Sequence, residues 1–406
     1  MTLSSAEATD MASAIPEIQQ MDYSAEEAFL LAYKDSLYYR VYNWISYFEK
    51  RISVLKSAPD SPATQLELTK FLYNMGGLYV GLSQILGFNS QYQIKAIEKN
   101  CLKYTRLAKE AAKTILDRPG LTTNQKAQAY QYLGAAEGSL GMLEFQAGNI
   151  FKALINGFRA DTHLEKALAL DPKMVDPYLG LGIYRYGNSR MGGFGNFIMQ
   201  GGRDERAKGL AYIRRVIDSE SITTPLATMT LAWFYLSVQI NPDNADLADD
   251  HPLSISGARD KLYKLYPVME TYFQNPPDRS FIGNKGFAML KAIQFILDGD
   301  YVKAREQFQK ILRILDFLVT TKGYKINPEQ KTTIEAGIKF CDVMISASLA
   351  LSGQGADMCP TISKQVDYLK NGGRIIEYDV EKIRDEINNI FIGKIENLFL
   401  SQCKNK

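Results

Sequence analysis

The sequence predicts an all-α chain, a superhelical solenoid of antiparallel helix pairs with long helices and one glycine-rich loop insertion. Three observations carry this. Apolar residues recur at three- and four-residue steps along most of the chain. Alternating strand patterns are missing, and only the short "RIIEYDV" from Arg374 hints at one. Two separate segments place small residues, a large apolar residue and a glycine turn in the same order.

The elements follow in order. "MTLSSAEATDMASAIPEIQQ" reads as a mobile polar lead-in, without the positive start and apolar core of a secretory leader. The location stays open between the cytoplasm and, if the numbering omits a signal, an exported or periplasmic setting. "DYSAEEAFLLAYKDSLYYRVYNWISYFEKRISVL" opens with a capping box, Ser24 and Glu27. Leu30, Tyr33, Leu37, Val41, Trp44 and Phe48 then form one buried stripe, and Pro59 and Pro62 end the segment. "LELTKFLYNMGGLYVGLSQILG" is a second helix whose Gly76, Gly77 and Gly81 predict close approach of a neighbour. "IKAIEKNCLKYTRLAKEAAKTIL" is a third, stopped by Pro119 and Gly120.

The repeated signature comes next. In "SLGMLEFQAGNIFKAL", Leu140 and Gly141 form a Leu-Gly pair, Gly148–Asn149 the turn, and Ala153 and Ala160 follow. In "FAMLKAIQFILDGDYVKAREQFQKIL", Ala292 and Phe295 precede the Gly299–Asp300 turn, with Ala304 and Phe308 beyond it. Small residues let two antiparallel helices cross closely, and a glycine reverses the chain between them.

These residues resemble the tetratricopeptide repeat family. "HLEKALALDP", with Leu164, Ala167 and Pro172, is similar to the end of such a repeat, and "PYLGLGIYRYG" to the start of the next. The resemblance covers residues 126 to 320. It departs from the family in repeats longer than about 34 residues and in tyrosine or another residue at the signature tryptophan position. The order from "GNIFKAL" to "GDYVKA" also resembles large bacterial tetratricopeptide-like proteins of undetermined role. Four regions follow: the lead-in 1–22, an N-terminal helical region 23–120, the repeat core 121–320 and a C-terminal capping region 321–406. In the last, Val380, Ile383, Ile387 and Ile390 form a stripe that would close the end of the array.

The stretch "YLGLGIYRYGNSRMGGFGNFIMQGG" poses a separate question. A dinucleotide fingerprint needs its glycines behind a strand. Here Asp176-Pro177 starts a helix, and Ile198 stands where a third glycine belongs. The pattern predicts a helix ending near Gly187, a loop to about Arg203 and a new helix from Glu205. Phe194, Phe197, Ile198 and Met199 inside that loop either fold back on the core or form a binding lip. The family resemblance implies that the first helix of a pair faces a concave surface. Tyr184, Arg185, Tyr186 and Arg190, with Phe194, Phe197 and Met199, are therefore the candidate partner- or ligand-binding residues.

Other chemistries lack signatures. Net charge is +2, too small for a general polyanion binder, so no nucleic acid partner is expected. His163 and His251 form no ligand pair, and no HExxH or G-x-S-x-G occurs. The acidic run with Asp243, Asp246, Asp249 and Asp250 lacks the glycine and glutamate of a calcium loop. No cofactor, metal or catalytic residue is expected. Cys101, Cys341, Cys359 and Cys403 form no CxxC pair, which excludes zinc-knuckle and thioredoxin motifs. They read as free thiols, with a Cys341–Cys359 bridge as the alternative. The uncharged run from Ile222 to Asn241 carries threonines, a serine and a glutamine, which suit burial in protein rather than lipid. No transmembrane segment is expected. The sequence thus points to a non-catalytic scaffold binding a protein or peptide along a concave groove. The alternative is a closed pocket for a sugar- or carboxylate-type small molecule, of the kind the resemblance links to transport.

Overall fold

Helical hydrogen bonding accounts for nearly all of the chain that the computed structural model describes, namely residues 22–36, 41–86, 94–191, 203–241, 253–273, 285–320, 326, 328–351, 359–375 and 381–403. Fifteen helices and no strand occur among these residues. They are α1 Ala25–Ser36, α2 Val41–Ser57, α3 Pro62–Leu86, α4 Ile94–Leu116 and α5 Thr123–Gln146. Then come α6 Ile150–Leu170, α7 Pro177–Met191, α8 Arg206–Asp218, α9 Thr224–Ile240 and α10 Ile255–Phe273. The last five are α11 Lys285–Leu297, α12 Tyr301–Thr320, α13 Pro328–Leu351, α14 Cys359–Lys370 and α15 Glu381–Cys403. The chain forms two compact units, and the boundary falls within α9, between Leu231 and Ala232.

In the first unit, sequence neighbours pack as pairs: α4 on α5, α5 on α6, α6 on α7 and α7 on α8. The Ser24–Glu27 capping box is formed in both directions, at 3.2 and 3.1 Å. A second box, Thr122 with Gln125, opens α5. Trp44 and Phe48 are buried as the stripe requires, but Leu30 is only half-buried and α1 turns Ala25, Ala28 and Ala32 inward instead; the Phe48 and Phe71 rings meet edge to face at 5.1 Å. A Cβ on Gly76 would lie 2.7 Å from the Thr105 hydroxyl of α4, which is the close approach its glycine predicts. Likewise a Cβ on Gly141 would lie 3.2 Å from the Ala153 carbonyl, so α5 and α6 cross through small residues.

Both signature turns close alike. Gly148 and Gly299 adopt φ of 77° and 79°. The next residue's N–H reaches back over five residues, Asn149 to the Glu144 carbonyl and Asp300 to the Phe295 carbonyl, each at 2.8 Å. This is the Schellman arrangement, and it needs a residue that tolerates left-handed backbone. A third case follows α14, at Gly372.

In the second unit α11 packs on α12, α12 on α13 and α14 on α15. Phe308, Phe340 and Phe391 are fully buried at its centre. On α15 the buried stripe is Ile387, Phe391 and Ile395, while Ile390 is half-buried. Val380 and most of "RIIEYDV" lie outside the described residues, as do the acidic run and His251.

The cysteines correct the reading of four free thiols. Cys359 and Cys403 form a disulfide, with Cα atoms 5.6 Å apart, and only Cys101 and Cys341 are free and buried. Cys359 opens α14 and Cys403 ends α15, so the pairing of these two helices brings their sulfurs together. Helix α7 also runs four residues beyond Gly187, to Met191. The Ser189 hydroxyl in that extra turn accepts the Glu205 N–H at 2.8 Å, which ties it to the start of α8.

Candidate functional site

Three helices of the first unit build the site: α6, α7 and α8. Their spacing is set by glycine. A Cβ on Gly182 of α7 would lie 2.7 Å from the Gly209 carbonyl of α8, and one on Gly209 equally close to the Gly182 carbonyl. Backbone meets backbone, so side chains flanking this contact are brought onto neighbouring helices at short range. On α6, Gly157 leaves room for the ring of Tyr184.

Arg185 stands at the centre. Its guanidinium bonds Glu205 at 2.7 Å and Glu165, and lies 3.6 Å from Asp161. Its plane also faces the Tyr212 ring at 5.5 Å. Asp161 and Glu165 are one turn apart on α6, so both point at α7. Burial works to raise the Glu205 carboxyl, but the Arg185 bond overcomes it and holds the group below its usual value. Burial raises Asp161, only partly opposed by Arg185 and reinforced by Glu165 and Glu205. Carboxylates therefore outnumber the cations Arg185 and Lys208.

Beside this lattice lie buried polar atoms that are only weakly satisfied: the Tyr184 hydroxyl and the Asn188 amide, which interact with each other, and an Asp161 oxygen whose partner is Arg185 at 3.6 Å. Tyr184 and Asn188 are one turn apart on α7. Burial pushes the Tyr184 hydroxyl up to about 12, so it stays a neutral donor. A contrasting cluster in the second unit is saturated. There Asp298 accepts from Tyr263, from Arg259 at 2.6 Å and from Gln294 at 3.2 Å. The side-chain amides of Gln294 and Gln239 pair at 2.9 and 3.0 Å. Such a filled network locks helices together and offers a ligand little.

The sequence-derived residues divide. Tyr184 and Arg185 are part of the cluster, and Arg190 is half-buried in the last turn of α7. Tyr186 is fully buried, with its backbone against Gly209, so it is a packing residue of the α7–α8 contact. Phe194, Phe197 and Met199 lie outside the described residues. The sequence reading missed Asp161 and Glu165 on α6, Asn188 on α7 itself, and Glu205 just before α8. The four-residue spacing of Asp161 and Glu165 on a predicted helix was the available signal.

His163 belongs elsewhere. Its Nδ1 bonds Glu137 at 2.7 Å, Lys109 reaches the other Glu137 oxygen at 3.1 Å, and its ring stacks on Tyr130. Among the described residues no His, Cys, Asp and Glu group is placed to share a metal ion. The glycines after α7 follow a helix rather than a strand, which removes the premise of a dinucleotide fingerprint. No family model, curated protein or solved structure matches the chain.

Proposed function

We propose that the chain is a non-catalytic, tetratricopeptide-like scaffold whose helix pairs stack into a superhelix and take a protein or peptide segment along a concave groove. The observation that supports this is the packing of sequence-neighbour helices as pairs, α4 on α5 through α7 on α8, with left-handed glycine turns and small-residue crossings. At the α6–α7 contact the Tyr184, Asn188 and Asp161 side chains are weakly satisfied, and a peptide backbone offers both an acceptor and a donor in each unit. Leaving a buried polar atom unpaired costs about 1–3 kcal/mol, so a segment that satisfies them gains affinity and register together. The surplus of carboxylates around Arg185 favours an amide or a cationic side chain over an anionic one.

A sugar-type small molecule is the second reading, because hydroxyls can also donate and accept here. A carboxylate ligand has less support, since Arg185 is already committed to acidic partners. Among the described residues no helix is long and apolar enough to cross a membrane. The Cys359–Cys403 bond supports an exported setting over the cytoplasm, because such bonds persist where thiols are kept oxidised.

Peptide arrays probed with the purified chain test the proposal. Binding should fall about 5- to 30-fold in Asp161→Asn or Tyr184→Phe, the loss of one buried hydrogen bond. If no peptide binds while sugars raise the melting temperature, the small-molecule reading replaces it.

A further inference from the structure

Helix α6 is apolar on two opposite faces. One face, with Ala160, Leu164 and Ala167, is buried. The other points to solvent and carries Phe151, Ile155 and Phe158, which are 77%, 37% and 54% exposed. Met142 and Phe145 at the end of α5 are exposed as well, at 57% and 42%. Single exposed apolar residues are ordinary on any surface, but a contiguous aromatic patch marks an interaction site.

The spacing and the charges say what covers it. Phe151, Ile155 and Phe158 recur at four and three residues, and Thr162 continues the series. That is the seam of one helix against another. Lys152 and Arg159 each follow a phenylalanine, seven residues apart, and form one row along the same side of the seam. Both are exposed, and neither has an ion pair or hydrogen bond among the described residues. The acids on the far flank, Asp161 and Glu165, face Arg185. An antiparallel second copy would set the cationic row against itself. An anionic bilayer needs no such spacing and would meet carboxylates on one flank.

We propose that this outer face of α6 docks an amphipathic helix of another protein, one whose apolar seam is bordered by a row of acidic side chains. It is a surface separate from the groove around Arg185, and it needs no stacked repeats to function.

The test uses the full chain and two synthetic helical peptides, labelled for fluorescence anisotropy. Both carry leucine at the seam positions; along the flank that meets Lys152 and Arg159 one has glutamate, the other lysine. The glutamate peptide should bind about tenfold or more tightly than its twin, and Phe151→Ser with Phe158→Ser should remove about tenfold of that affinity. Lys152→Glu with Arg159→Glu should invert the preference, and this variant stands even if the phenylalanine pair impairs folding. Equal binding of the two peptides, or none, overturns the proposal. So does binding to phosphatidylserine vesicles in preference to the glutamate peptide, or a dimer in sedimentation that the phenylalanine variant abolishes.

Discussion

Glu137 shows how a single side chain can be read from its partners. It is 2% exposed, yet it accepts from both Lys109 and His163. Burial works to raise its carboxyl, but those bonds and the Lys109 charge overcome it and hold the group below the ordinary value of 4.5. Because its folded value is depressed, Glu137 adds stability at pH above the unfolded value. That stability is lost as pH falls through the folded one. Urea titrations should show Glu137→Gln less stable by about 3 kcal/mol near neutral pH, because Lys109 keeps its charge without its partner. The deficit should begin to shrink below about pH 4.5, where the unfolded chain takes up the proton, and close once the pH has fallen through the lower folded value. The free thiols give a second check at this scale. Burial pushes Cys101 up to about 11 and Cys341 up to about 12. A thiol reagent at mildly alkaline pH should therefore leave the native chain unlabelled, and denaturant without reductant should expose two thiols, not four. The partners of His163 were not legible in the sequence, because Lys109, Glu137 and His163 sit on three helices and no spacing rule links them.

At the scale of helices, glycine has opposite meanings a few residues apart. A Cβ on Gly209 would meet the Gly182 carbonyl at 2.7 Å and the Tyr186 amide nitrogen at 2.9 Å. Neither atom can swing away, so Gly209→Ala must push α8 from α7, at a cost of about 1–3 kcal/mol or more. A Cβ on Gly187, by contrast, would meet nothing within 4 Å. It lies inside α7, so Gly187→Ala should raise stability by about 0.5–1 kcal/mol through helix propensity alone. Thermal melts of the two variants should therefore move in opposite directions. The same contrast explains what the sequence could tell. Gly148 and Gly299 were readable as turns because a small-residue pattern frames each one. Gly187 was read as a stop because propensity marks it so, and nothing local reports the Ser189–Glu205 bond that carries the helix on. The site was half legible for a related reason. Tyr184 and Arg185 stand out on one helix, whereas their acidic partners come from α6 and from the start of α8.

For the whole molecule, periodicity made the all-helical class legible, since 3.6-residue spacing is local information. The division near Leu231 and the Cys359–Cys403 bond were not, because both depend on contacts between distant parts of the chain. Two compact units with separate cores should answer separately to a change confined to one of them. The disulfide supplies that change. It joins residues 44 positions apart in the second unit and closes a loop around α14 and α15. Reducing it frees the unfolded chain, which lowers stability by about 2–4 kcal/mol in the loop-entropy account. Hydrogen exchange with and without reductant should therefore show faster exchange across α13, α14 and α15. Helices α4 to α6 should be unchanged, since the one cysteine there, Cys101, is a buried thiol. A Cys359→Ser, Cys403→Ser double variant should reproduce the effect and lose all response to reductant. If reduction instead speeds exchange equally through α4 to α6, the two units unfold as one and their cores are energetically joined.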